Sequence, residues 1–414
     1  MSKVTVGIDW GAQEMSVCAI DEERTRLLEV DVSRRGEEIE ALVMRLLSLV
    51  DDDPSRLSVA LEMPRAAVIE ACLARGVAVY SINPKQLDRF RDRHTVAGAK
   101  DDALDAFVIA DSLRTDAHLF RRIRIENDDL ILLRERSRAY EELTDEAIAL
   151  AAKLRALLLR YYNELLTIKG GLHETPWIWR LIEVAPTPHR LRAGKTTTLI
   201  KRLEKKKTRL PRDIHARLET LRAGKPLPVT RGTSTALQER VQRLLPLLRA
   251  VHRERKQCLR DLHELVDELA EEDDDGLPTD MAVLRSMPGI GVRIAAVLLA
   301  EASQAIEERD LESLRRLAGV APVSRRSGGR HKAAVISMRR ASHKRLTNAV
   351  HQWASIAIRY DPRARELYDQ QRKKGHNFPR SLRTVGDRML AVLFAALRDR
   401  TLYEPKKRVV DRAA

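Results

Sequence analysis

The chain begins with short apolar runs that alternate with polar positions: VTVGID at 4–9, MSVCAID at 15–21 and RLLEVDV at 26–32. Polar gaps of hairpin size divide them, so the spacing predicts three consecutive strands. The period then lengthens. GEEIEALVMRLLSLV at 36–50 repeats its apolar residues at helical spacing, SRLSVALEM at 55–63 returns to a strand, and PRAAVIEACLARG at 64–76 has proline at its start and glycine at its end, as a helix does. VAVYSIN at 77–83 is a fifth strand and DDALDAFVIADSL at 101–113 a further helix. Three strands followed by alternating helix and strand match the order of a ribonuclease-H-like (RuvC-like) fold, with the first strand central.

From about 130 to 270 the pattern becomes long helices. Tyr140, Leu143, Ala147, Leu150, Leu154, Leu157 and Tyr161 step by three and four, as do Leu237, Val241, Leu244, Leu248, Val251, Cys258, Leu262, Leu265 and Leu269, with Arg255 in one seam position. Two such stripes call for a coiled-coil partner, either each other as an antiparallel hairpin or another subunit. Pro246 is expected to kink the second helix. Residues 166–235 between them are rich in Pro, Gly, Lys and Arg and read as an inserted subdomain or tip, with KRLEKKKTRLPR taken as a solvated basic stretch. The acidic EEDDDGLPTD at 271–280 reads as a boundary. The expected architecture is therefore α/β plus α: an α/β domain over 1–125, a coiled-coil region with its insertion over 126–275, and a mainly helical domain over 276–414.

Charge adds a direction to this layout. The 414 residues carry a net charge of +15, with a pI near 9.9. Residues 1–70 hold 8 Lys and Arg against 15 Asp and Glu, while residues 321–414 hold 23 against 7. An acidic beginning and a basic end suggest one part that holds cations and another that grips phosphates. Cys18, Cys72 and Cys258 are far apart within apolar patterns, which argues for core positions and against a disulfide framework or zinc site. With no signal-like start and no apolar run of spanning length, the chain is expected to be cytoplasmic, with no membrane partner.

Four acids stand where strand and helix patterns begin or end. Asp9 and Glu62 close apolar strand runs, at the carboxyl edge of the expected sheet, and Asp102 and Asp105 share one face at the start of a helix. Asp101 points elsewhere and is not expected to be a ligand. Oxygen-only ligands suit Mg²⁺, and carboxylates that hold two such ions can stabilise the attacking and leaving oxygens of a phosphoryl transfer. The implied substrate is nucleic acid.

Two C-terminal segments carry further chemistry. In MAVLRSMPGIGVRIAAVLLAEA, Pro288, Gly289 and Gly291 fit the turn of a helix-hairpin-helix, whose backbone N–H groups can approach a phosphate without reading bases. An ordinary helix–helix turn is the alternative. Further on, Ser327 precedes Gly328 and Gly329 and is surrounded by Arg325, Arg326, Arg330, His331 and Lys332. A serine in such a loop could attack a phosphodiester, since the cations neutralise developing charge. Surface loops often contain Ser-Gly, and Ser324, Ser337 and Ser342 stand nearby as competitors.

GIDWG, ALEMPR, SINPKQLDRFR, AKDDALDA, SMPGIGVRIAAVLLAE and LAGVAPVSRRSGG occur in an order that resembles the DEDD transposases of bacterial insertion sequences, relatives of Piv-type DNA invertases. The resemblance covers both ends of the chain, and the long segment 166–235 departs from the simplest members. It implies a RuvC-like domain joined through a coiled coil to a C-terminal transposase domain, with the DEDD acids at Asp9, Glu62, Asp102 and Asp105 and the serine nucleophile at Ser327. It also implies Mg²⁺ as cofactor, donor and target DNA and a noncoding bridge RNA as partners, a covalent phosphoserine link, and homodimers that assemble to tetramers.

Three other readings compete. A RuvC-like endonuclease would hydrolyse branched DNA with the carboxylates alone. A sugar-kinase or actin-like ATPase, suggested by GIDWGAQ, would need a second phosphate loop and a glycine-rich adenosine segment, and neither is present. AGKTTT at 193–198 lacks the earlier glycine of a nucleotide loop, because position 189 is His. A scaffold without chemistry would leave four acids repelling one another.

Overall fold

The computed structural model describes residues 3–11, 13–62, 67–93, 101–123, 127–168, 170–205, 209–325, 335–338 and 342–404, with backbone alone at 322–325 and 335–338. The chain divides into two compact units, 1–126 and 127–414.

The first unit is a six-stranded mixed sheet. Its strands are β1 (Val4–Trp10), β2 (Glu14–Ile20), β3 (Arg26–Ser33), β4 (Leu57–Leu61), β5 (Ala78–Ser81) and β6 (Arg121–Ile123), in the order β3-β2-β1-β4-β5-β6. The hairpins β1–β2 and β2–β3 are antiparallel. β4 runs parallel to β1 and β5 parallel to β4, with β6 antiparallel on the edge. β1 is thus inside the sheet, as the strand order implied, while β6 was not foreseen because its three residues are too short and too charged to show a period.

Alternation along the strands assigns the two faces. Val4, Val6 and Ile8 of β1 and Leu57, Val59 and Leu61 of β4 pack with α1 (Gly36–Ser48) and α2 (Ala67–Leu73), using Ile39, Leu42, Val43, Leu46, Val68, Ile69 and Cys72. The opposite face is covered by α3 (Pro84–Arg91) and α4 (Asp102–Asp116). There Ala60 meets Leu87, Phe90, Val108 and Ile109. Gly7 allows α4 to lie directly on β1: a Cβ at Gly7 would fall 2.0 Å from the Ala106 carbonyl oxygen and 2.5 Å from the Ala110 nitrogen. Cys18 and Cys72 are core residues, and burial raises their thiols to about 11 and about 12 respectively.

The second unit is built on two long helices, α5 (Asp128–Leu158) and α10 (Arg231–Glu268). Leu133 shares a core with Leu262, Leu265 and Val266, and Leu150, Leu154 and Leu158 share another with Leu237, Val241, Leu245 and Leu248. The helices therefore run antiparallel against each other within one chain. Arg136 Nη1 donates to the Asp261 carbonyl at 2.8 Å along the seam. Arg255, buried in its seam position, pairs with Glu174 at 3.6 Å. Helix α10 continues through Pro246.

Between the long helices, α6 (Pro176–Val184), α7 (Pro188–Ala193), α8 (Thr196–Glu204) and α9 (Ile214–Ala223) form a helical insertion with its own apolar centre. Trp177, Trp179, Leu181, Leu199, Leu203 and Leu218 pack there with Tyr161 and Tyr162. Its many basic residues lie around this core. AGKTTT begins α8, where Thr196 is buried and hydrogen-bonded to Glu219 and Arg222.

The remainder comprises α11 (Asp280–Ser286), α12 (Val292–Glu301), α13 (Ser303–Glu307), α14 (Leu311–Leu317), the antiparallel ribbon β7 (Pro322–Arg325) and β8 (Val335–Met338), then α15 (Lys344–Tyr360), α16 (Pro362–Lys373) and α17 (Phe378–Arg398). Leu298, Trp353, Leu382, Leu390 and Leu393 are among its fully buried residues. Among the described residues, no helix is long and apolar enough to cross a membrane.

Candidate functional site

Parallel pairing of β1 with β4 runs through Ile8 opposite Leu61. Asp9 and Glu62 are therefore the next positions along two neighbouring strands, at their carboxyl ends. By alternation Asp9 belongs to the face that carries Gly7, the face under α4, and Glu62 follows directly after the last residue of β4. That helix brings the third and fourth acids. Its cap is Asp101, whose carboxylate accepts from the Ala103 N–H at 3.2 Å, a role the sequence did not indicate. Asp102 is exposed on the first turn, whereas Asp105, one turn later, is 2% exposed.

Asp105 is held by an arginine that the sequence reading did not single out. Arg91, the last residue of α3, donates from Nε to Asp105 Oδ1 at 2.6 Å and from Nη2 to Oδ2 at 2.6 Å. Its Nη1 also donates to Asp88 at 3.1 Å. The hydrogen bond to Asp105 is the main cause that raises the Arg91 pKa, and the charges of Asp105, Asp88 and Asp9 act in the same direction. Asp9 is thus close enough for its charge to be felt at the guanidinium. A signal for Arg91 existed: a buried acid on the sheet-facing side of a helix needs a counter-charge, and SINPKQLDRFR supplies arginines just before it.

Among the described residues, no three acid, histidine or cysteine side chains converge as a ready-made ion site. Asp9 and Glu62 are neighbours, Asp105 lies on the covering helix with both oxygens committed to Arg91, and Asp102 faces outward. The four acids offer oxygen donors only, the chemistry a hard divalent ion takes, and Asp105 already accommodates a cation, the Arg91 guanidinium.

In the second unit, Pro288 to Gly291 form the turn between α11 and α12. Gly289 adopts φ +86°, and a Cβ there would lie 3.0 Å from the Ala357 nitrogen. Trp353 Nε1 donates to the Pro288 carbonyl at 2.9 Å. The turn is consequently packed on α15, which accounts for Gly289 structurally. Gly291 caps α12 with open space around it. Ser327, Arg326, Arg330, His331 and Lys332 lie outside the described residues, between β7 and β8, and Arg325 is described in backbone only. Ser324 and Ser337 fall on the ribbon, opposite Ile336 and Val323. Ser342 is half-buried beside Gly319 and accepts a hydrogen bond from Thr347 Oγ1 at 3.2 Å. Another residue missed by sequence reasoning is Arg383 of α17. It is half-buried without an ion-pair partner among the described residues, and burial followed by the charge of Arg380 lowers its pKa.

Comparison with known proteins agrees with this layout at both ends. Residues 6–163 match the DEDD transposase family of IS110, described as a transposase, and residues 281–369 match the transposase IS116/IS110/IS902 family. The 43.6 kDa protein of insertion element IS110 from Streptomyces coelicolor is 30% identical over 316 residues, covering 74% of this chain and 73% of its own. The mini-circle IS117 protein of the same organism, which carries a transposase name, is 28% identical over 411 residues, 98% of this chain and 96% of its own. A Sinorhizobium fredii protein with a transposase name, y4uE, is 37% identical over 206 residues, 49% of this chain and 56% of its own.

The matches at both ends of a chain with a mixed sheet and a large helical unit define the class: a transposase, an enzyme that cleaves and rejoins DNA. The chain belongs to the IS110 family of insertion-sequence transposases.

Proposed function

We propose that this transposase is a site-specific recombinase in which Asp9, Glu62, Asp102 and Asp105 form the ion-binding part of a RuvC-like active site and Ser327 supplies the nucleophile. What supports the reading is the parallel register of β1 and β4, in which Ile8 stands opposite Leu61 and Asp9 and Glu62 are the residues that follow, together with the buried Asp105 on α4 over the same sheet. Mg²⁺ bound there would stabilise negative charge on the attacking and leaving oxygens.

The chain's own groups do the rest. Ser327 loses its hydroxyl proton, its Oγ forms a bond to the backbone phosphorus, and the bond from phosphorus to the leaving sugar oxygen breaks. A proton ends on that sugar oxygen. One phosphoester replaces another, so the reverse step rejoins DNA without an outside energy source. Arg325, Arg326, Arg330 and Lys332 would neutralise the phosphate, while Gly291 and Gly289 offer backbone N–H groups to a neighbouring phosphate and Arg383 offers a guanidinium that has no ion-pair partner among the described residues. Donor and target DNA, a bridge RNA and a homodimer that assembles to a tetramer complete the proposal.

Strand exchange by purified protein with element RNA, cognate DNA and Mg²⁺ tests it. Asp9→Ala and Ser327→Ala are each expected to lower exchange by about 10²-fold or more, and the covalent protein–DNA adduct formed by wild type should be absent from Ser327→Ala. Undiminished cleavage by Ser327→Ala without an adduct would favour hydrolysis by a RuvC-like endonuclease.

A further inference from the structure

Arg91 and Asp105 form a two-bond fork, with both distances 2.6 Å. Such a fork uses the in-plane lone pairs of the carboxylate, the same electrons a divalent ion would take. The two partners differ in freedom. The Asp105 side chain is 3% exposed, whereas that of Arg91 is 23% exposed and also touches Asp88, which is 67% exposed. A buried carboxylate stripped of its partner is costly, so an ionised Asp105 is held best with a cation beside it.

We propose that Arg91 is a positioning residue that serves Asp105 as a tethered counter-cation and competes with the divalent ion for its carboxylate. Ion entry displaces the guanidinium toward the exposed Asp88, and ion loss returns it. Asp105 thereby keeps its rotamer and stays compensated in both states. The proposal rests on the reading of Asp105 as an ion ligand.

The test is Mn²⁺ titration by calorimetry on full-length wild-type protein, Arg91→Gln, Arg91→Lys and Arg91→Gln with Asp105→Asn, alongside thermal unfolding in EDTA and in Mn²⁺. Arg91→Gln is expected to bind Mn²⁺ about tenfold more tightly than wild type or better. It should melt below wild type in EDTA and recover much of that loss in Mn²⁺. Arg91→Lys, which keeps the charge but not the fork, should fall between the two in affinity. The Arg91→Gln, Asp105→Asn protein should lose both the tight binding and the Mn²⁺ recovery. Equal or weaker Mn²⁺ binding by Arg91→Gln, beside clear binding by wild type, overturns the competition and leaves the carboxylate reading intact. If Mn²⁺ binds neither wild type nor Arg91→Gln in unit 1, as shown by indifference to Asp9→Ala, the carboxylate reading itself is overturned.

Discussion

At the scale of single residues, Gly7 controls how closely α4 can approach the sheet. Any side chain there meets helix backbone, since a Cβ would sit 2.0 Å from the Ala106 carbonyl oxygen. Gly7→Ala is expected to destabilise the first unit by about 3 kcal/mol or more, read as a lowered midpoint in urea. The same residue type at Gly289 is needed for φ +86° and for contact with Ala357. The buried thiols have a pH signature. Their folded pKa values, about 11 for Cys18 and about 12 for Cys72, lie above the unfolded value. Their contribution is therefore full below the unfolded thiol pKa and is lost as pH rises toward the folded values. In native protein near neutral pH, a thiol reagent should leave Cys18 and Cys72 unmodified and react with them only on unfolding. Asp9, Glu62, Asp102 and Asp105 were legible as candidates because acids seldom end apolar strands or open buried helices. For Arg91 the need of a counter-charge was readable, but which arginine of SINPKQLDRFR meets it shows only once α3 is placed against α4.

Among the elements, those with strong periods were readable before the structure. The first five strands and α1 follow from alternation and from a 3.6-residue repeat, and burial of Ile39, Leu42, Val43 and Leu46 matches the apolar face of α1. The long helices α5 and α10 were legible as stripes, but not in their pairing. Stripe geometry is the same for a hairpin and for two subunits, and only the shared cores at both ends distinguish them. The seam supports a direct prediction: Leu154→Ala, at a fully buried site between the helices, should cost about 2–5 kcal/mol in chemical denaturation. The insertion was harder to read. It was legible as an inserted subdomain or tip, but its charged residues dominate composition while a few tryptophans and leucines form the core, so the individual helices did not show. The β7–β8 ribbon was concealed for a related reason: its strands are four residues each, too short for an alternation to emerge from a basic background.

For the whole molecule, the uneven charge separates two tasks. The acids of the first unit are suited to cations, and the last third of the chain carries the positive surplus suited to a polyanion. Binding to DNA should therefore weaken steeply with salt. Arg383→Gln is expected to weaken it across unrelated sequences and to reduce the slope of log affinity against log salt by about one, measured by fluorescence anisotropy. A change confined to one DNA sequence would contradict the phosphate role. The central claim, however, concerns the acids of the first unit. It is tested most directly by anomalous diffraction from crystals of the protein grown with Mn²⁺. The account expects manganese bound by carboxylate oxygens of Asp9, Glu62 and the α4 acids, with the Arg91 guanidinium moved off Asp105. Crystals that show manganese elsewhere, or none while Arg91 keeps its hold on Asp105 at saturating Mn²⁺, would contradict it.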